Sequence, residues 1–192
     1  MQTLLTILAC IFVGDLITGL VHWWEDTYGD PDWPVIGEHV VKPNIEHHEK
    51  PGLIGSMSTI ISRNVQSLGS AILVAGLVLW VAFCFGIPPW ECWPVFLTVF
   101  LAGLGNEVHT WNHRAERDNN AFVRFLQDSG LVQSRVQHGK HHRKPYDKYY
   151  CTLTNFTNAV LERIHFWRTL EWLILVVLRI PVKRGDPKRN GY

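Results

Sequence analysis

Gln2 to Val21 is an almost unbroken apolar run, and no Lys or Arg precedes Lys42. The run matches the roughly 20 residues that a helix needs to cross a bilayer. A secretory signal peptide would carry a basic leader and a small-residue cleavage site. Neither is present, and the run continues directly into His22-Trp23-Trp24, so a membrane anchor is expected. A second uncharged run, Ser67 to Gly86, is long enough by the same measure. Pro88-Pro89 marks a return turn. Trp90 to Trp111 then reads as a third span with Trp at both ends. Its strictly apolar part, Trp93 to Leu104, is also short enough to be re-entrant.

These runs predict an all-α membrane protein of one domain, with about three transmembrane helices at residues 2–22, 67–86 and 90–111. A cytoplasmic helical cap takes residues 25–66 and 112–180, and a polar tail takes 181–192. Within the cap, Phe122, Phe125, Leu126, Val132 and Val136 recur at helical spacing, which predicts a helix over 120–137 lying on the membrane surface. Leu170 to Ile180 is apolar but too short to span, so it is expected at the interface or packed on the bundle. Cationic residues orient the chain. All 18 Lys and Arg lie in Glu25–Gln66 or after Trp111, which predicts an outside N-terminus and a cytoplasmic cap. The net charge of +1 gives no field for nucleic acid. The four cysteines lack C-x-x-C spacing, so neither a disulfide framework nor a zinc ribbon is expected.

The same topology brings eight of the ten histidines to one side: His22, His47, His48, His109, His113, His138, His141 and His142. His138, His141 and His142 stand at i, i+3 and i+4, one face of a helix. His109 and His113 share a face with Asn106, whereas Glu107 points elsewhere. Asp15, Thr18, His22 and Asp26 form a polar stripe on the first helix. A carboxylate at membrane depth costs several kcal/mol without a partner, so Asp15 is either functional or paired with a neighbour. His39 and His165 lie outside the groups and are expected at the surface.

Eight imidazoles exceed one zinc site and match two first-row metals at about four nitrogens each. Imidazole alone does not select the metal. Chemistry beside lipid chains does: an iron pair that activates O2 can take hydrogen from an unactivated C–H bond, and zinc cannot. The expected centre is therefore a histidine-rich dimetal site. Asp15, Asp26 and Asn106 are candidates to hold ligand N–H groups, and Asp26 and Asn106 are also candidate catalytic residues. Arg143, Lys144 and Lys148 are candidates to hold a lipid phosphate, against the plainer reading of a positive-inside charge run. Two other classes stay open. A bis-histidine haem protein could use His22 and His109, but leaves the H-x-x-H-H group unexplained. A non-catalytic metal carrier would want polar residues across the bilayer, where only Asp15 is charged.

Further motifs run in order along the chain. They are Gly14-Asp15, His22-Trp23, Asp26-Thr27-Tyr28-Gly29, Pro34-Val35-Ile36-Gly37, His47-His48-x-x-Pro51 and Ser62-Arg63. Asn106-x-x-His109-x-x-x-His113, Leu126-Gln127-Asp128 and Gln137-His138-x-x-His141-His142-Arg143 follow. Pro145-Tyr146, Tyr150-Cys151, Leu161-Glu162 and Phe166-Trp167 complete the set. On these residues the chain resembles the membrane lipid-desaturase family over roughly residues 14–172. That family includes plasmanylethanolamine desaturases and the plastid desaturase that puts a Δ3-trans bond into phosphatidylglycerol. The resemblance implies two iron ions (Fe2+/Fe3+) held by the eight histidines, with O2 as co-substrate. It also implies a membrane phospholipid substrate and electrons from a carrier such as cytochrome b5 or ferredoxin. Asp26 stands where many other membrane desaturases have a second histidine. Ala159-x-Leu161-Glu162 through Glu171 looks like the plasmanyl branch, and Tyr28-Gly29-Asp30 with Gln137-His138 looks like the plastid branch. Vinyl ether formation is the expected activity, with Δ3 desaturation of a phosphatidylglycerol acyl chain as the alternative.

Overall fold

The computed structural model describes residues 1–52, 54 and 60–183, with residues 60–63 described by backbone only. The Ser62 and Arg63 side chains and the tail residues 184–192 lie outside the described residues. Every regular element among those described is helical. Helix α1 (Gln2–Thr27) has 26 residues, so the first span and the His22–Asp26 turn are one continuous rod. After a π-helical turn, Gly37–Val41, comes the short helix α2 (Lys42–Glu49). Helix α3 (Ile60–Cys84) is the second long rod. Beyond a 3-10 turn at Pro89–Cys92 follow α4 (Trp93–Gly103) and α5 (Gly105–His113). The cap adds α6 (Ala121–Asp128), α7 (Arg135–His138), α8 (Asn155–Arg163) and α9 (Phe166–Leu178).

Two helices, α1 and the Asn64–Cys84 part of α3, are long and apolar enough to cross a membrane. The expected third span at 90–111 is not one rod. Its apolar helix α4 has 11 residues, about 16 Å, roughly half a hydrocarbon layer. At Leu104 the ladder tightens, and one N–H faces the Phe100, Leu101 and Ala102 carbonyls before the polar α5 begins. The expected surface helix at 120–137 is also broken. It stops after Asp128 because Gly130 takes φ +75, a left-handed conformation that ends a helix. Phe122, Phe125, Leu131 and Val136 of this region are exposed.

Small residues set the register of the bundle. The Cys10 thiol donates to the Pro94 carbonyl at 3.3 Å. A Cβ at Gly14 would lie 3.0 Å from the Leu101 side chain, and one at Gly105 would lie 2.7 Å from that of Thr18. These contacts rise together along the two sequences, so α1 runs parallel to α4 and α5. Helix α3 runs the other way: Gly103 sits against Ala71, and Asn64 donates to Glu107 at 2.9 Å. The end of α1, the end of α5 and the start of α3 therefore meet at one end of the bundle.

An extended segment, Tyr150 to Thr154, descends antiparallel to α1. Gly19 admits it: a Cβ there would lie 2.5 Å from the Cys151 sulfur. Tyr150 and Cys151 are fully buried, so their backbone groups need partners from the protein. Side chains supply most of them. Asn158 accepts from the Cys151 amide at 3.0 Å, and Thr18 accepts from Thr152 at 3.3 Å. The Asp15 carboxylate takes the Leu153 and Thr154 amides at 2.8 and 2.9 Å, and the Thr154 hydroxyl at 2.6 Å. Asn112 and Asn158 donate to the Thr152 and Cys151 carbonyls. Gln133 donates its side-chain amide to Cys151 and its backbone amide to Leu153.

The expectation that Asp15 holds a ligand N–H is corrected here. It lies seven residues before His22, about 10 Å along the axis, and both its oxygens are engaged by Thr18, Leu153 and Thr154. Thr154 also caps α8 by accepting from the Thr157 amide. Helix α9 packs Trp167, Leu170 and Ile174 on the cluster around Trp23 and leaves Trp172, Val176 and Val177 exposed. Asp15→Ala would strand three donors at about 1–3 kcal/mol each, so a stability loss of about 3 kcal/mol or more is expected. Thermal denaturation in detergent measures it, and an unshifted melting curve would contradict the anchoring role.

Candidate metal centre

Four segments deliver imidazoles to the end of the bundle where α1, α3 and α5 meet. His22 ends the apolar part of α1, and Asp26 follows one turn later on the same face. Helix α2 carries His47 and His48, and α5 carries His109 and His113. Helix α7 ends at His138, yet its turn continues. The His141 and His142 amides both donate back to the His138 carbonyl, which keeps the expected shared face. All eight predicted histidines come together. The donor atoms sort into His47, His109, His113, His138 and His142 in one group and His22, Asp26, His48 and His141 in the other. Within each group they lie within 4.8 Å of one another. The expected four nitrogens per metal thus become five in one group, and three with a carboxylate in the other.

The contacts are close. Nε2 of His113 lies 3.0 Å from those of both His109 and His138, and His142 Nε2 is 3.1 Å from His138 Nε2. In the second group Asp26 presents Oδ1 to His48 at 3.1 Å and Oδ2 to His141 at 3.3 Å and His22 at 3.9 Å. Nε2 of His141 and His48, one from each side of the carboxylate, are 3.4 Å apart.

Protons cannot account for this packing. The Nδ1 atoms of His22, His47 and His141 face the carbonyls of Tyr150, Asn44 and Lys148 at 3.1, 2.7 and 2.9 Å. A carbonyl only accepts, so Nδ1 carries the proton in each and Nε2 is a bare lone pair. The Nε2 atoms of His22 and His47 are buried without a hydrogen-bond partner. In the row His109, His113, His138, His142, a neutral ring nitrogen can donate or accept but not both. Three successive contacts cannot each hold a separate proton. A cation can. Two nitrogens about 2.1 Å from one ion subtend a right angle when about 3.0 Å apart, the spacing seen here. The donor set therefore fits metal ions.

Electrostatics agree. Burial, reinforced by neighbouring imidazoles, holds His47, His138 and His141 well below the ordinary 6.5. The same causes bring His113 to about 3 and His142 to about 2. These rings are neutral at pH 7, the form that binds metal.

Other predicted residues fall as follows. Asn106 is half-buried one turn before His109, and its carbonyl accepts from Thr110 at 2.8 Å. Glu107 points away to Asn64 and Trp111, as its place on the helix predicts. Arg143, Lys144 and Lys148 are exposed on the loop after the histidines. His39 and His165 are exposed and belong to neither group. Sequence reasoning missed Asn44, which donates to Asp26 Oδ1 at 2.6 Å, and the Tyr150 and Lys148 carbonyls. It also missed the tyrosine wall, where the Tyr146 ring sits 4.5 Å from His48 and Tyr150 5.3 Å from His141. Backbone groups leave no trace in a residue pattern, but Asn44 at i−3 from His47 was visible.

The family model for the lipid desaturase domain matches residues 11–183. The chain belongs to the lipid desaturase family. It is 35% identical over 183 residues to plasmanylethanolamine desaturase 1 of Mus musculus, covering 89% of this chain and 64% of that one. It is 34% identical over 166 residues to the Myxococcus xanthus plasmanylethanolamine desaturase, covering 83% and 56%. Fatty acid desaturase 4, chloroplastic, of Arabidopsis thaliana is 30% identical over 180 residues, covering 93% and 54%. The chain thus spans less than two thirds of the length of each of these relatives. No solved structure matches it significantly.

The buried histidines of this lipid desaturase family member fix a sign for its pH response. Their pKa values are lower folded than unfolded, so below about 6.5 the unfolded chain binds more protons. The metal-free protein is expected to lose stability steadily as pH falls from 6.5 towards 3, where His113 begins to charge. Chemical denaturation across pH 7 to about 4 checks this; a flat profile would mean the rings are not buried neutral.

Proposed function

We propose that this membrane protein is an O2-dependent diiron desaturase that forms a vinyl ether next to the head group of a plasmanyl phospholipid. One observation carries the reading: nine mutually close donors, most of them buried, stand in two adjacent groups at one end of an apolar bundle. The relatives named plasmanylethanolamine desaturase support the substrate class.

His47, His109, His113, His138 and His142 would hold one iron. His22, His48, His141 and the Asp26 carboxylate would hold the other. The iron pair supplies two-electron activation of O2 for hydrogen removal from adjacent methylenes. The balance is –CH2–CH2– plus O2, two electrons and two protons, giving –CH=CH– and two waters. The electrons come from a reduced carrier of the cytochrome b5 or ferredoxin kind. Asp26 contributes the one negative charge among the donors. Tyr146 and Tyr150 wall the site and exclude water from it. In the proposed topology the spans at 2–22, 67–86 and 90–111 cross the bilayer, with an outside N-terminus and a cytoplasmic site. Tyr150 to Thr154 is then a re-entrant stretch beside α1. Because His22 sits where the apolar part of α1 ends, the reacting carbons lie near the lipid head group. Arg143, Lys144 and Lys148 would hold the phosphate, and Asn106 would hold a ligand N–H.

Expression in a host with defined ether lipids, followed by lipid mass spectrometry, tests this. The expected product is the O-alkyl lipid less two hydrogens. Single His138→Ala, His141→Ala and His142→Ala variants should lower activity at least 100-fold and lose iron, as expected when a metal ligand is removed. His39→Ala should retain both. Desaturation of phosphatidylglycerol acyl chains instead would move the substrate to the plastid branch, and full activity in the triple variant would refute the site.

A further inference from the structure

Asn44 is 8% exposed and belongs to neither donor group, yet it touches both. Its side-chain amide donates to Asp26 Oδ1 at 2.6 Å. Its backbone carbonyl accepts from His47 Nδ1 at 2.7 Å. Asp26 belongs to the three-histidine group and His47 to the five-histidine group. The two contacts use different parts of the residue. Replacing the side chain removes only the first, because any residue keeps the carbonyl.

The geometry points to Asn44 as a positioning residue that aims the Asp26 carboxylate and so sets the affinity of one metal of the pair, leaving the other nearly unchanged. This rests on the two-metal reading above. A carboxylate turns freely about its Cβ–Cγ bond, and its binding depends on which oxygen faces the ion. The Asn44 amide occupies one direction on Oδ1, whose other side faces His48 at 3.1 Å, and the carboxylate is thereby turned so that Oδ2 faces His141 at 3.3 Å and His22 at 3.9 Å. Groups that orient a ligand in this way typically change metal affinity about 10–100-fold when removed.

Iron(II) titration of the purified full chain, with iron content per chain, tests this across wild type, Asn44→Ala, Asp26→Ala and the double variant. Wild type is expected to take two equivalents. Asn44→Ala should weaken one of them about 10–100-fold and leave the other within about twofold. In the Asp26→Ala background, Asn44→Ala should add nothing, because the residue acts only through that carboxylate. Asn44→Asp keeps the size but sets a second carboxylate against Asp26, so it should weaken the same equivalent at least as much. It carries the test if the alanine variant does not fold. Additive losses in the double variant, equal loss of both equivalents, or unchanged titrations in both Asn44 variants would overturn the assignment while leaving the two-metal reading in place. A wild type that binds fewer than two irons would overturn both.

Discussion

Extended backbone inside an apolar helical bundle is tolerable only when its amides and carbonyls are satisfied from within the protein. Tyr150 to Thr154 meets that condition almost wholly through side chains: Asp15 takes two of its amides, and Asn158 bonds one amide and two carbonyls. This explains a charged residue in the middle of α1. The carboxylate is fully buried, and the segment it holds is where the cap joins the bundle. Helical elements of the cap could pack against α1 without it, but this extended segment could not lie there.

The site inherits its order from that segment. Its first residue, Tyr150, gives its carbonyl to His22, and Lys148 just before it gives another to His141. These carbonyls put the proton on Nδ1 and turn Nε2 inward. Thr152 contributes twice, to Thr18 and to Asn112, and so ties α1 to α5, which carries His109 and His113. Asn112 is itself bonded to Gln133 at 2.9 Å, and the Gln133 backbone returns to Leu153. One stretch of chain thus fixes the relative height of three histidine-bearing elements and the tautomers of two rings.

Much of this was legible in the residue pattern. The i, i+3, i+4 spacing of His138, His141 and His142 specified a shared face, and the turn continues even where α7 has ended. The stripe Asp15, Thr18, His22, Asp26 correctly marked the α1 face that meets the rest of the protein. What periodicity could not show was the use of that stripe. Asp15 and His22 look alike as polar residues on an apolar helix, but one serves backbone amides and the other faces a donor cluster. Breaks were also hidden. Leu104 is apolar and leaves no mark in hydropathy, so Trp90 to Trp111 reads as one span, with a re-entrant Trp93–Leu104 as the alternative. Gly130 is a visible breaker, and its helix was nonetheless read through because the apolar spacing persists on either side. The division into five and three with a carboxylate was out of reach, because it depends on how α2 sits between α1 and α5.

That division has a consequence of its own. On the reading proposed above, the two ions would not be equivalent. Five neutral imidazoles offer lone pairs but no charge, whereas the other group adds the Asp26 carboxylate. In a buried site of low dielectric, a single formal charge outweighs an extra neutral ligand in stabilising a cation. The carboxylate-side ion would therefore be favoured in its more oxidised form relative to its neighbour. The histidines have no such preference, because each can serve a metal in either oxidation state. The asymmetry rests on one residue, Asp26, one turn beyond His22 on α1. On the same reading, the helix that would anchor the chain in the membrane would also carry the residue that makes the two metal positions different.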